Sequence, residues 1–99
     1  MNLETKKDLT SNWFKTLQNA FCDDICKLEK NRFKFKSTSW KRSTSKDEGG
    51  GEYRILQNGQ IFEKVGVNFS KVYGKFPKQF QKKIPGAQKD PRFWASGIS

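Results

Sequence analysis

The chain has 99 residues, a net charge of +10 and only 33% hydrophobic residues. That length allows one small domain or part of a larger one, burying roughly two-thirds of its unfolded surface; no apolar run approaches the roughly 18 residues of a membrane span, and two cysteines exclude a disulfide framework. The basic excess calls for an anionic partner, whether nucleic acid, an acidic membrane face or a polycarboxylate.

The opening Met1 to Asp8 has no apolar segment and is no secretory signal. Together with the cysteine count this fits a reducing, cytoplasmic setting. From Thr10 to about Glu29, Phe14, Leu17, Phe21, Ile25 and Leu28 fall at helical spacing and predict one amphipathic α-helix. Thr10, Ser11 or Asn12 would supply the N-cap, and Leu3 to Asp8 contains no breaker that would forbid an earlier start.

After Asn31 the period changes. Phe33-Lys34-Phe35-Lys36 alternates as a half-buried strand does, with an extension to Trp40. Ser43 through Gly51 reads as loop, ending in Gly49-Gly50-Gly51. Glu52 to Gln57 and Gln60 to Val65 read as two strands joined by Asn58-Gly59, the dipeptide favoured by a type I′ hairpin turn. Val67 to Tyr73 continues as strand. Pro77 opens a short helix to about Lys83, stopped by Pro85-Gly86. Asp90-Pro91 turns the chain into a last strand, Phe93 to Ser99. Ending on apolar, β-prone residues, the chain reads as cut inside an element, so residues 1–99 form a single partial domain. The predicted class is α+β: an N-terminal helix, then antiparallel strands that open a larger sheet flanked by helices.

Cys22 and Cys26 share one helix face near Asp23 and Asp24, but structural zinc needs four ligands and the chain has no histidine. The thiols read as helix fillers. Gly49 to Gly51 lack the Lys-Ser/Thr of a phosphate loop. Basic residues interleaved with Phe33, Phe35, Trp40 and Tyr53 carry the alternative function, a small single-stranded nucleic-acid-binding module. No positioned base or nucleophile forms a self-contained catalytic constellation.

A combination of segments resembles the amino-terminal part of the oxygen-dependent coproporphyrinogen III oxidases. It comprises Trp40-Lys41-Arg42, Gly49-Gly50-Gly51, Arg54-Ile55-Leu56 with Asn58-Gly59, and Ile61 to Ser70, which is similar to the family's F-E-K-x-G-V-N-x-S. Val72-Tyr73-Gly74, Ile84-Pro85-Gly86 and Phe93 to Ser99 follow, the last similar to F-x-A-x-G-[VI]-S. Three glycines stand where many relatives have four, and Lys71 and Tyr73 stand where many bacterial relatives have histidines.

The resemblance implies a role in haem biosynthesis: oxidative decarboxylation of two propionates of coproporphyrinogen III to vinyls, giving protoporphyrinogen IX. It implies molecular oxygen as acceptor, no organic cofactor, a homodimer when complete, and no nucleic-acid partner; it leaves a divalent metal open. It places the family's catalytic histidines, aspartate and arginine beyond Ser99, so no catalytic or metal residue is expected here and the isolated chain is expected to be inactive. Ser99 matches the serine that the family uses to contact substrate. Asn68 and Ser70 are expected to be structural, fixing a bend after the hairpin.

Overall fold

The computed structural model describes residues 1–99. Its elements are α1 (Leu3–Leu28), β1 (Lys36–Lys41), β2 (Gly49–Gln57), β3 (Lys64–Lys75), α2 (Lys78–Gln81) and β4 (Arg92–Ile98). The four strands form one antiparallel sheet in the order β1-β2-β3-β4. This is the α+β arrangement expected from the change of period after Asn31. The Cα radius of gyration is 17.0 Å, against about 13 Å for a compact chain of this length, so the helix and sheet bury little between them.

α1 begins earlier than its apolar stripe. Asn2 is the N-cap, its side chain accepting the Thr5 N–H at 2.8 Å, and not Thr10, Ser11 or Asn12. The docked line also differs from the predicted stripe. Ser11, Gln18 and Cys22 are buried, as is Glu29 just past the helix end. Phe14 and Ile25 flank that line half-buried, while Phe21 and Leu28 stay 49% and 56% exposed. The reason lies in the surface beneath. Gln18 Nε2 donates to the carbonyls of Glu52 and Val67, both at 3.0 Å, and so ties α1 to β2 and β3 together. Arg54 donates to Asn19 Oδ1 at 2.8 Å and to the Glu52 carboxylate. A sheet face presenting backbone carbonyls and an ion pair is matched by small and polar helix residues. Lys7 and Lys15 lay their ammonium groups over the Trp94 and Phe69 rings, at 5.9 and 5.4 Å.

Phe33 and Phe35 precede β1 instead of lying within it. The glycines predicted as loop open β2, where backbones approach closely. A Cβ on Gly50 would run into the Trp40 backbone, and one on Gly51 would stand 2.9 Å from the Trp40 indole and against the Phe69 carbonyl. These positions demand glycine for want of space, so the triple glycine is strand rather than loop.

The hairpin is also built differently from its sequence signal. β2 pairs with β3 in a register that sets Leu56 opposite Val65 and Gln57 opposite Lys64, leaving Asn58–Glu63 as a six-residue loop. Asn58 takes φ 58°, but Gly59 does not share the positive φ of a type I′ turn. The loop is closed by the Asn58 N–H donating to Glu63 O at 2.8 Å. What holds it wide is Glu29, only 2% exposed, whose carboxylate accepts the N–H groups of Gln60 at 2.7 Å and Ile61 at 2.5 Å. Ile61, predicted to pair in the return strand, is 62% exposed. Leu56, Val67 and Phe69 are the buried apolar centre on the helix side.

Between β3 and β4, α2 is a single turn with Pro77 as its N-cap, shorter than the helix predicted to Lys83. The Phe76 N–H donates to Pro91 O at 2.8 Å, and the Phe76 and Phe93 rings stack at 4.7 Å. Asp90 then turns the chain into β4 by accepting from the Arg92 backbone and guanidinium. Those bonds hold the Asp90 carboxyl down at about 2. A depressed carboxylate contributes above its unfolded value and loses that contribution as pH falls towards the folded one. In Arg92→Ala, the Asp90 carboxyl resonance should titrate near the ordinary aspartate value of about 3.9. An unchanged midpoint in that variant would contradict this origin of the shift.

Candidate functional site

Strand pairing divides the sheet into two faces, because residues directly opposite each other in an antiparallel ladder project to the same side. Glu52, Arg54, Leu56, Val67 and Phe69 lie on the face covered by α1. On the uncovered face, three rows run across the strands. One sets Trp40, Gly51, Ser70 and Gly97 side by side; the next sets Thr38, Tyr53, Asn68 and Ser99; the third sets Lys36, Ile55 and Gly66. The centre of this face is a trough of about 630 Å³, with Trp40, Tyr53 and Ile55 on one side and Gly97 and Ser99 on the other. That volume lies within the usual range for small-molecule sites.

Two features make the trough chemically specific. First, the side chains of Asn68, Ser70 and Ser99 take part in none of the hydrogen bonds of the structure. Asn68 and Ser99 are joined through their backbones, N–H to O at 2.8 Å one way and 3.0 Å the other. Asn68 lies inside β3, so it fixes no bend, contrary to the expectation from its sequence setting; its amide projects from a regular strand. The signal that would have found this pair is period-two parity: Gly66, Asn68 and Ser70 alternate on one strand as Gly97 and Ser99 do on the next. Second, the strands contain a single carboxylate, Glu52, and it lies on the helix side. Lys36 and Lys64 share the uncovered face, and neither belongs to any of the four ion pairs. The trough is therefore a neutral-donor and cationic surface with an aromatic wall.

The other singled-out residues do not join it. Cys22 is buried under α1; burial pushes its thiol above the ordinary value, with neighbouring Arg54 opposing. Cys26 donates to Phe33 O at 3.6 Å. No group of three Cys, Asp or Glu side chains is placed to hold a metal ion, so these residues do not fit a metal centre. Tyr73 and Lys71 project to the helix side, away from the trough. The Tyr73 hydroxyl donates to Asp47, which holds the phenol above its usual value. Of the rings proposed as a base-stacking platform, Trp40 and Tyr53 share the uncovered face, whereas Phe33 and Phe35 lie outside the sheet.

The family model for coproporphyrinogen III oxidase matches residues 9–99. The chain belongs to the coproporphyrinogen III oxidase family. It is 42% identical over its whole length to the oxygen-dependent coproporphyrinogen-III oxidase of Rickettsia akari, and 41% and 42% identical to the enzymes of the same name from Rickettsia felis and Rickettsia prowazekii. In each case it spans 37% of the relative's length. The family's F-x-A-x-G-[VI]-S segment runs along β4 and one residue past it, with its glycine and final serine at Gly97 and Ser99 on the uncovered face. Its F-E-K-x-G-V-N-x-S segment covers the end of the six-residue loop and the first half of β3.

Proposed function

We propose that this chain forms the substrate-facing sheet of an oxygen-dependent coproporphyrinogen III oxidase. That enzyme converts two propionates of coproporphyrinogen III to vinyl groups, with molecular oxygen as acceptor, in haem biosynthesis. The observation that carries the reading is the coincidence of family membership with a carboxylate-free sheet face on which Ser99, Asn68 and Ser70 have no partners within the chain. A substrate bearing several carboxylates is drawn to such a face by Lys36 and Lys64. Hydroxyl and amide donors then fix its orientation by hydrogen bonds to charged oxygens, which are stronger than neutral ones. Ser99 contacts the substrate; it supplies no proton chemistry. The oxidative steps belong to residues outside this chain, and neither an organic cofactor nor a metal is assigned to any group here. The complete enzyme acts as a cytoplasmic homodimer.

Exchange of this segment for its counterpart in the Rickettsia akari enzyme tests the reading. The chimera should form protoporphyrinogen IX from coproporphyrinogen III under air, while the 99-residue chain alone forms none. Ser99→Ala in the chimera should raise KM about tenfold, the effect of one hydrogen bond to a charged group, with a smaller change in kcat. A folded chimera without activity, or an unchanged KM in the serine variant, would refute the assignment.

A further inference from the structure

We propose that Lys15, Lys41 and Lys71 form a binding site for a phosphate-bearing small molecule, on the opposite side of the sheet from Asn68 and Ser99. The site goes beyond the substrate reading above and stands apart from it, since that reading concerns the uncovered face.

Strand register brings two of the cations together. Lys41, Gly50 and Lys71 are direct partners across β1, β2 and β3, in the row next to Ser39, Glu52 and Phe69. Neighbouring strands lie about 4.8 Å apart, so the two lysine Cα atoms are about 10 Å from each other. Gly50 puts no side chain between them. Two ammonium groups on flexible four-carbon stems can therefore close on one anion from both sides. Lys15 approaches from α1. Its ammonium lies 5.4 Å from the centre of the Phe69 ring, and Phe69 precedes Lys71 by two residues on the same face of β3.

The charge of this place is unbalanced. The three lysines line a cavity of about 690 Å³, and Lys46 joins them from the loop before β2. The two carboxylates at its wall are engaged: Glu52 pairs with Arg54, and Asp47 accepts the Tyr73 hydroxyl. None of the four lysines belongs to an ion pair, and the one lysine ammonium that donates a hydrogen bond is that of Lys7. Lys71 is half-buried as well as unpaired. Cations gathered without a counter-charge repel one another, and a multiply charged anion between them replaces repulsion with attraction. Phosphate suits these groups. It is compact, carries more than one charge and presents oxygens in several directions, and lysine meets it as a point charge without the planar match that arginine offers a carboxylate. The Ser39 and Thr44 hydroxyls line the same cavity and donate to no group of the chain. The volume lies within the range of small-molecule sites, leaving room for the organic part of a phosphate ester.

Calorimetric titration of the 99-residue chain with inorganic pyrophosphate tests the site. Lys41→Gln combined with Lys71→Gln should weaken binding about tenfold, the effect of losing charge-assisted hydrogen bonds. Lys82→Gln combined with Lys89→Gln, outside the cavity, should stay within about twofold of the unaltered chain. Both double variants remove the same two charges from the total of +10, so general attraction to a basic protein falls equally in both and their difference reads the site. Adenosine diphosphate distinguishes the sources of phosphate: tighter binding than pyrophosphate assigns the rest of the cavity to an organic group, and equal binding assigns the site to free phosphate. Citrate, a tricarboxylate, should bind more weakly than pyrophosphate. If Lys41→Gln with Lys71→Gln alters the circular dichroism spectrum, Lys15→Gln with Lys41→Gln, both exposed, decides by the same comparison. No binding of pyrophosphate, equal losses in the cavity and outside variants, or citrate binding as tightly as pyrophosphate would each overturn the site. None of these results bears on Ser99→Ala, which tests the substrate-facing reading by itself.

Discussion

Glu29→Ala should destabilise the chain by about 3 kcal/mol, since the N–H groups of Gln60 and Ile61 both lose a buried, charged acceptor. That is a large share of the roughly 5–15 kcal/mol that holds a typical domain together. Glu29 connects two places remote in sequence: the end of α1 and the loop joining β2 to β3. Its loss should therefore be local as well as global. Amide exchange at Gln60 and Ile61 should accelerate more than exchange at Leu56 or Val65, and the urea midpoint should fall. Glu29→Gln, which keeps one carbonyl oxygen but turns an amide donor towards the second N–H, should cost less than Glu29→Ala. Unaltered exchange at the two loop amides in Glu29→Ala would show that the carboxylate does not shape the loop.

Leu56→Ala should cost a similar amount, about 3 kcal/mol, by removing a wholly buried side chain and leaving a cavity. Its partners distinguish two hairpins. A two-residue turn at Asn58-Gly59 would set Ile61 opposite Leu56; the six-residue loop sets Val65 there. Val65→Ala should therefore weaken the fold by more than 1 kcal/mol, as a half-buried core-edge residue. Ile61→Ala should stay within about 0.5 kcal/mol, as an exposed residue. The reverse order in urea titrations would restore the tighter turn.

The hairpin marks where local signals lose to long-range ones. Asn58-Gly59 is the preferred dipeptide for a two-residue turn, and Asn58 does adopt positive φ. Val65, Val67 and Phe69 nevertheless alternate beyond it, and burying that set under α1 decides which face they take. The shift of four residues keeps every side chain on its original face, so both hairpins satisfy the same alternation. Only Glu29 distinguishes them, from a separation of 31 and 32 residues. α1 gives the complementary lesson. Its most regular apolar stripe was legible, but the stripe is not the docked line, because a helix facing carbonyls and an ion pair takes Ser11, Gln18 and Cys22 inward.

The candidate site was legible in part. Ser99 stood out through family resemblance, and the basic excess pointed to an anionic partner. Asn68 reads along the chain as a bend-former, and its place in a regular strand shows only once its partner Ser99 is known. What the sequence determined by itself was the kind of each element, the family and the sign of the charge, for these follow from periodicity, residue pattern and composition along the chain. Tertiary structure alone decided which glycines are crowded and which are bare, which lysines lack carboxylates, and that Trp40, Ser70 and Gly97 share one row. Those are properties of strand neighbours 11 to 27 residues apart, and cross-strand register has no counterpart in local sequence.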